Sequence, residues 1–322
     1  MPFHLIRVLT LTVLCSLRAY AADYPAKPIR IIVPFAPGGA TDLLIRPVGG
    51  KLSELLGQPM VIDNRGGAGG NLGAEFAAQA APDGYTLLVS TAGVIVTNRS
   101  LYSKLAVDPV TALDPVSIIA SLPNVLVVSP KSGINSVADL IARAKSKTGN
   151  ITFASGGSGT SNHLAGELLK HLTQAEMTHV PYKGGGPAVV ATISGEVTLL
   201  FATMPSAMQY VKASRLNALA VTSERRSPVA PDVPTMAEAG VKGFEVSENW
   251  VGALVPRGTP GAIVSRLHRA IVQSLEDADI QKRLAAAGYE RIGNSPAQMG
   301  QSIKRQSQTW EQIIKAAKLR AE

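Results

Sequence analysis

The sequence has little cysteine, few aromatic side chains and no long hydrophobic segment beyond its first residues. The only cysteine is Cys15, which lies in the N-terminal apolar run, so the rest of the chain has no disulfide or thiolate chemistry. Aromatic residues make up 5% of the chain and the basic residues are scattered. Nucleic-acid binding needs clustered basic residues with stacking aromatics. These absences exclude a disulfide-stapled fold and disfavour nucleic acid as a partner.

The sequence also lacks the spacings that metal and nucleotide sites use. Its five histidines form neither a His-x-x-x-His nor a His-Glu-x-x-His motif. The glycine-rich run at 66–70 opens no Gly-x-Gly-x-x-Gly motif, and no Walker lysine follows it. We interpret this run as a turn and a helix start, and we predict no metal ion and no cofactor.

The N-terminal residues have the pattern of a cleavable signal peptide. His4 and Arg7 precede an apolar run over 8–17, and 19–21 give the small-x-small pattern of a signal-peptidase site. This run has about half of the roughly 20 residues that a membrane-spanning helix needs. We therefore predict that 1–21 are removed and that the mature protein is exported to the periplasm of a Gram-negative bacterium without inserting into a membrane. Its formal charge falls from +8 to +6, because two arginines leave with the signal peptide.

The hydrophobic pattern from residue 29 onward alternates β-branched runs with helical segments. This alternation predicts an α/β fold with largely parallel sheets. About 300 mature residues are more than one hydrophobic core usually serves, so we predict two lobes. The first lobe is 22–121 plus 246–322, and the second is 122–245. We predict strands near 29–33, 59–63, 85–90, 125–128, 151–154, 178–181, 198–201, 216–221 and 251–255. We predict helices at 42–56, 71–80, 136–147, 161–172, 187–194 and 206–213, and a mainly helical chain after 259.

One strand–glycine–helix segment lies at 29–42. Its β-branched run stops at Pro34, which has no N–H for a sheet ladder. A Pro-Gly-Gly turn follows, and then Thr41 and Asp42, either of which can cap a helix. This arrangement directs free backbone N–H groups at an anion.

A second segment of this kind lies at 152–163. Three glycines separate a short strand from a helix that Thr160 or Ser161 can cap. Ligands of open α/β sheets bind beyond the carboxyl ends of the strands. We therefore predict that the two glycine loops, one in each lobe, face each other and form a pincer for a carboxylate.

These motifs and others resemble, in order and spacing, the solute-binding proteins of the tripartite tricarboxylate transporter family, of the Bordetella uptake gene (Bug) type. The resemblance runs from residue 24 to about 310. Its most distinctive parts are Pro-Phe-Ala-Pro-Gly-Gly-Ala-Thr-Asp at 34–42, Asp-Asn-Arg-Gly-Gly-Ala-Gly-Gly-Asn-Leu-Gly at 63–73, Pro-Asp-Gly-Tyr-Thr-Leu at 82–87, Gly-Thr-Ser-Asn-His-Leu-Ala-Gly at 159–166 and His-Val-Pro-Tyr-Lys-Gly at 179–184.

The resemblance implies a two-lobed "Venus flytrap" of the type II-like class, each lobe a mostly parallel sheet flanked by helices. Such a protein captures a small carboxylate, acts as a monomer and delivers its ligand to a two-component membrane permease. In the family, two glycine loops hold one ligand carboxylate through backbone amides and water, and more variable positions read the rest of the ligand. Carried onto this sequence, the ligand-binding residues are Phe35, Pro37, Gly38, Gly39, Thr41, Asp42, Thr91, Ser155, Gly156, Gly157, Ser158, Gly159, Thr160, His163, Met204, Ser206, Asn249 and Trp250.

Several of these residues also fit structural roles. We expect Asp42 to hold its loop more than to touch an anion, because two negative charges repel. We expect His163 to orient the second loop, and Trp250 to be either an apolar cleft wall or a core residue. The proline and two glycines at 47–50 predict that the first helix starts late or kinks. The segment 204–206 offers no charged partner, which disfavours citrate-like polyanions and leaves mono- and dicarboxylates open.

Two other functions remain open at the level of sequence. The fold could serve a carboxylate sensor that docks on a membrane signalling partner. It could also serve an exported hydrolase with Ser158 as nucleophile. The Gly-x-Ser-x-Gly elbow that such a serine needs is incomplete, because Thr160 occupies its last position.

Overall fold

The computed structural model of the protein describes residues 24–121, 123–146, 150–223, 225–244, 249–316 and 319–320, and places them in two lobes, each with its own sheet. The predicted signal peptide lies outside the described residues. So do 122 and 245–248, at the two predicted crossings between the lobes. Among the described helices, none combines the length and the apolar character needed to cross a membrane.

The described elements agree with every predicted strand and helix to within two residues at each end. The strands are β1 (Ile29–Val33), β2 (Met60–Asn64), β3 (Thr86–Thr91), β4 (Leu113–Ser121), β5 (Asn124–Val128), β6 (Thr152–Ser155), β7 (Thr178–Pro181), β8 (Leu199–Thr203), β9 (Asn217–Val221), β10 (Trp250–Pro256) and β11 (Glu290–Arg291). The helices are α1 (Ala40–Leu56), α2 (Asn71–Ala78), α3 (Asn98–Leu101), α4 (Pro109–Ala112), α5 (Val137–Lys145), α6 (Ser161–Thr173), α7 (Gly185–Ser194), α8 (Met204–Lys212), α9 (Gly261–Glu276), α10 (Ala278–Ala287) and α11 (Pro296–Ala316).

The first lobe has a six-stranded sheet and the second a five-stranded sheet. The strand order is β11-β4-β10-β3-β1-β2 in the first and β7-β6-β8-β5-β9 in the second. Successive residues of a strand point to opposite faces, and both faces are covered. Ile31 and Ile32 lie in different core clusters of the first lobe, and Val125 and Leu126 do the same in the second, all four fully buried.

The two-lobed α/β fold is confirmed, but the sheets are mixed rather than mostly parallel. Strand β1 pairs in parallel with β2 and β3, and β6 with β7 and β8. Strand β10 runs antiparallel to β3 and β4, and β5 runs antiparallel to β8 and β9. The reason is the path of the chain. It leaves the first sheet along β4 and returns along β10 from the other lobe, without the helical crossover that joins parallel neighbours.

Strand β4 was not predicted from the sequence. It contains Asp114 and Pro115 near its start, and proline cannot donate to a sheet ladder. The pairing of β4 with β10 shifts register between Ala253 and Leu254, where Leu254 lies opposite Pro115. This irregularity lets the proline sit in an interior strand.

Helix α1 begins earlier than predicted and continues through Pro47 as one helix. Gly39 occupies the N-cap position, so neither Thr41 nor Asp42 caps the helix as the sequence suggested. The early start has a physical cause, because an acidic residue in the first turn stabilises the positive end of a helix. Asp42 fills that place and pairs with Arg46 one turn later.

Candidate functional site

A cavity between the two lobes is lined by residues of both. About 50 Å³ of it is open to the centres of water molecules, which is room for a few water-sized groups. The first lobe contributes Phe35, Gly39, Ala40, Thr41 and Thr91, and the second contributes Gly156, Thr160, Ser161, Asn162, Gly185, Val189, Leu200, Ala202, Thr203 and Ser206. These residues carry hydroxyl, amide and apolar groups and no charge.

Four helix N-termini meet at this cavity. The first residues of α1, α6, α7 and α8 follow the carboxyl ends of β1, β6, β7 and β8, and each contributes lining residues. The first N–H groups of a helix have no partner within the helix, and the helix dipole makes this end positive. The cavity therefore has a positive potential without a charged side chain, and an anion fits it. The sequence predicted all four helices, but the predicted pincer used the N-termini of only α1 and α6.

The first glycine loop is held by Asp42, whose carboxylate lies under the loop rather than in the cavity. Its Oδ2 accepts hydrogen bonds from the backbone N–H of Gly38 (3.0 Å) and from Arg46 Nε (2.8 Å). Its Oδ1 accepts from Asn64 Nδ2 at 3.1 Å. Burial opposes ionisation of this carboxyl, but the hydrogen bonds from Arg46, Gly38 and Asn64 outweigh it and lower the pKa of Asp42. Asp42 is thus an ionised anchor for residues 37–39.

The second glycine loop uses most of its polar groups to hold its own shape. The backbone N–H of Gly157 donates to Ser155 Oγ (3.1 Å), and that of Gly159 donates to His163 Nδ1 (3.0 Å). Thr160 occupies the predicted N-cap position, but its hydroxyl donates to the carbonyl of Gly157 at 2.7 Å. From this loop and the first turn of α6, the residues that line the cavity are Gly156, Thr160, Ser161 and Asn162.

Two stacked histidines support this loop from below. The rings of His163 and His179 lie 4.0 Å apart, and His179 Nε2 lies 2.6 Å from Ser155 Oγ. Burial lowers the pKa of His163 to about 3, assisted by the neighbouring His179 and Lys170. Burial likewise lowers the pKa of His179 to about 4. Both rings are neutral near pH 7, and His163 Nδ1 is therefore free to accept from Gly159.

The neutral histidines predict an acid-sensitive fold. The pKa of His163 is below its ordinary value of 6.5, so the unfolded chain binds protons before the folded protein does. We expect the free energy of unfolding to fall as the pH drops from about 6.5 to about 4, by up to about 1.4 kcal/mol per pH unit from His163. Urea unfolding across this range measures the slope.

The variant His163→Asn tests the origin of this slope. Its amide oxygen can still accept from Gly159 but does not titrate, so the slope should flatten. The matched control is His171→Asn, an exposed histidine on the same helix, which should keep the wild-type slope. An unchanged slope in His163→Asn would assign the acid sensitivity to other groups.

The outer side of the second loop contacts the first lobe. The hydroxyl of Tyr102 donates to the carbonyl of Ser158 at 2.9 Å. The hydroxyl of Thr97 is shared between the carbonyls of Gly93 (2.7 Å) and Gly159 (3.3 Å). Gly69, with φ of +63°, packs so closely that a Cβ atom there would collide with the Ser158 carbonyl oxygen. The glycine-rich run at 66–70 thus serves close packing between the lobes.

The structure contains a serine–histidine pair, but this pair supports the second glycine loop and is not arranged as a catalytic nucleophile and base. The pair is Ser155 with His179, and not the sequence candidate Ser158. Ser155 is fully buried, and its hydroxyl oxygen accepts from Gly157. No group of three His, Cys, Asp or Glu side chains in the described part of the chain is arranged to hold a metal ion.

The structure places the sequence-predicted residues in two groups. Those that line the cavity are Phe35, Gly39, Thr41, Thr91, Gly156, Thr160 and Ser206. Those that lie beside it, in the loops, in the cores or next to the crossing, are Pro37, Gly38, Asp42, Ser155, Gly157, Ser158, Gly159, His163, Met204, Asn249 and Trp250. Met204 is buried in the core of the second lobe. Trp250 is a core residue, because it is 1% exposed and its indole N–H donates to Gln306 Oε1 at 2.7 Å.

Sequence reasoning missed eight lining residues: Ala40, Ser161, Asn162, Gly185, Val189, Leu200, Ala202 and Thr203. Ser161 and Asn162 directly follow the predicted N-cap, so the position of this cap could have identified them as lining residues. The prolines at 187 and 205 mark the first turns of α7 and α8, which indicates two further N-termini. The apolar lining residues of β8 and α7 could not be recognised from the sequence, because apolar residues line cavity walls and fill hydrophobic cores alike.

Comparisons with known proteins agree with this geometry. Residues 44–319 match the family model described as tripartite tricarboxylate transporter family receptor. Protein BugT of Bordetella pertussis is 38% identical over 296 residues, 92% of this chain and 90% of BugT. The structure of R. palustris Rpa4515 with adipate has a TM-score of 0.89 and 37% identity, covering 93% of this chain and all of that one. The structure of MatC from Rhodopseudomonas palustris with bound malate has a TM-score of 0.87 and 33% identity, covering 90% of this chain and all of that one. The chain belongs to the tripartite tricarboxylate transporter receptor family, of the Bug type.

Proposed function

We propose that this protein captures a small carboxylate between its lobes and delivers it to a two-component membrane permease. The observation that carries the proposal is the convergence of four helix N-termini on an uncharged cavity lined by both lobes. Family membership and the relatives with adipate and malate support the same ligand class. In this proposal the protein is a receptor and catalyses no reaction.

The cavity suits an anion with a short carbon chain. The hydroxyls of Thr41, Thr91 and Ser206 can donate hydrogen bonds to carboxylate oxygens. The side chains of Val189 and Leu200 offer an apolar wall for the carbon chain. No lysine or arginine lines the cavity, so a ligand with three negative charges would lose more hydration than neutral donors return. We therefore favour mono- and dicarboxylates.

The two sets of predicted residues take different roles in this proposal. The lining residues contact the ligand, with the backbone amides of 39–41, Gly156, Ser161 and Asn162 facing its carboxylate. The residues beside the cavity act through the loops, with Asp42 holding the first and His163 holding the second.

We propose that the lobes are 22–121 plus 246–322 and 122–245, and that they close on the ligand about the two crossings. The chain leaves the first sheet after Ser121 and returns to it at Trp250, which supports two crossings. Binding favours the closed form, because a ligand between the lobes makes contacts that the open form cannot make together. The hydrogen bonds of Tyr102 and Thr97 to the second loop also stabilise the closed form.

We place the protein in the periplasm as a monomer, exported by the cleavable signal peptide 1–21. The family and its periplasmic relatives support the compartment. A sensor that signals to a membrane partner would use the same closed surface, and no feature of the described residues favours that output over transport.

The test is thermal unfolding of the mature protein, stripped of bound ligand, with a panel of mono-, di- and tricarboxylates. A ligand at 100 times its Kd stabilises the folded state by about 2.7 kcal/mol. For a chain of this size, that is a rise in Tm of about 4 °C. The amides of the same acids are the controls and should give no rise. Equal rises with acids and amides, or none with any acid, would overturn the proposal.

A further inference from the structure

Asn249 connects the crossing between the lobes to the cavity. It lies directly before β10 and is 3% exposed. Its Nδ2 donates a hydrogen bond to Ser161 Oγ at 3.0 Å. Ser161 is the first residue of α6 and lines the cavity. Asn249 itself does not line the cavity, and its hydrogen bond to Ser161 links it to a residue that does.

The other end of the same amide is unpaired. Asn249 Oδ1 is buried and has no hydrogen-bond partner among the described residues. A buried carbonyl oxygen without a donor costs free energy. This atom therefore points to a donor that the described residues do not supply, such as a water molecule.

A small chamber beside Asn249 can hold that donor. About 20 Å³ of the chamber is open to the centres of water molecules, which is enough for one water. Its walls are Ala92, Gly93, Thr97, Ser161, Leu164, Asn249 and Trp310. Ser161 borders both this chamber and the main cavity.

We propose that Asn249, fixed by a water in this chamber, is a positioning residue that makes the Ser161 hydroxyl a hydrogen-bond donor toward the ligand. The inference rests on the proposed function, because it assigns a role in binding a carboxylate. The water donates to Asn249 Oδ1 and thereby holds Nδ2 against Ser161 Oγ. The oxygen of Ser161 accepts from Nδ2, and its single proton remains for the cavity.

This arrangement selects a carboxylate over a carboxamide. An ionised carboxylate only accepts hydrogen bonds, whereas a carboxamide has an NH₂ group that donates. A serine fixed as a donor matches both oxygens of a carboxylate but opposes the NH₂ group. Asn249 therefore contributes to ligand selectivity from outside the cavity.

The test is the ratio of Kd values for an acid and its diamide, measured by calorimetry with succinate, malate and adipate. In Asn249→Asp at pH 9, the ionised carboxylate can only accept, so Ser161 must turn its proton toward it and away from the ligand. We expect the preference for the acid to fall about tenfold in Asn249→Asp and in Ser161→Ala, which is the loss of one hydrogen bond to a charged group. The double variant should lose no more than either single variant. The control is Asn150→Asp, an exposed asparagine, which should keep the wild-type ratio.

Three results would overturn the inference. Asn249→Asp could lower the preference for the acid just as much when Ser161 is already alanine. That result would assign the loss of selectivity to direct charge repulsion. An unchanged ratio of the acid and diamide Kd values in Ser161→Ala would also overturn the inference, even if Asn249→Asp failed to fold. A crystal structure with no water within hydrogen-bond distance of Asn249 Oδ1 would remove the fixing group. If the wild-type protein binds none of the three acids, the proposed function is overturned as well. If the wild-type protein prefers the acids and both variants keep that preference, only this inference is overturned.

Discussion

Replacing Gly156 with valine should raise the Kd for the bound carboxylate by about a hundredfold or more, the loss of about two hydrogen bonds to a charged group. A Cβ atom at Gly156 would lie 3.1 Å from the backbone nitrogen of Gly185 and 3.4 Å from Asn162 Oδ1. The side chain would therefore separate the N-termini of α6 and α7, which converge on the cavity. Isothermal titration with the best acid of the panel measures the effect.

The matched control is Gly186→Val in the first turn of α7. A Cβ atom there has no neighbour within 4 Å, and Gly186 does not line the cavity. Neither glycine has a positive φ, so neither substitution strains its own backbone, and circular dichroism checks that both variants fold. Affinity within threefold of wild type in Gly156→Val would contradict the role of the converging N-termini.

Replacing Asp42 with alanine should lower the free energy of unfolding by about 2–4 kcal/mol. The carboxylate is buried and accepts hydrogen bonds from Gly38, Arg46 and Asn64, so the substitution removes the acceptor that these three donors share. The expected fall in Tm is about 3–6 °C for a chain of this length. Urea unfolding monitored by the two tryptophans measures it.

The control for Asp42 is Asp279→Ala. Asp279 also lies in the first turn of its helix and pairs with an arginine four residues later, Arg283, but both side chains are more than 60% exposed. An exposed pair of this kind contributes roughly 0.3–0.5 kcal/mol. Equal losses in the two variants would show that Asp42 acts as an ordinary surface pair and not as the anchor of the loop.

The sequence predicted the fold well because local signals and the global fold agree. The two glycine loops combine a β-branched strand, a proline or glycine stop and a helix start, and each of these is a local property. The sequence Ser-Val-Ala-Asp at 136–139 is a local helix-start signal of the same kind, because Ser136 caps α5 and its hydroxyl accepts from the N–H of Asp139 at 3.0 Å. Strand β4 was missed because Pro115 argues against a strand locally, and only its register with β10 accommodates it.

The site was only partly predictable because its walls depend on distant partners. Trp250 is held in the core by Gln306, 56 residues away in sequence, and no local pattern reports this pair. Ser158 and Gly159 resemble ligand contacts in sequence, but their carbonyls accept hydrogen bonds from Tyr102 and Thr97 of the other lobe. Which side of the second loop faces the cavity and which side contacts the first lobe depends on the positions of both lobes, and no local pattern in the sequence reports this.

The most direct measurement of the central claim is a crystal structure of the mature protein with the best acid of the panel. We predict one carboxylate within hydrogen-bond distance of backbone N–H groups from the N-terminus of α1 and from that of α6, α7 or α8. Contacts from both lobes would explain why binding favours closure. A carboxylate bound by a single lobe, or held by an arginine or lysine side chain outside this cavity, would contradict the account.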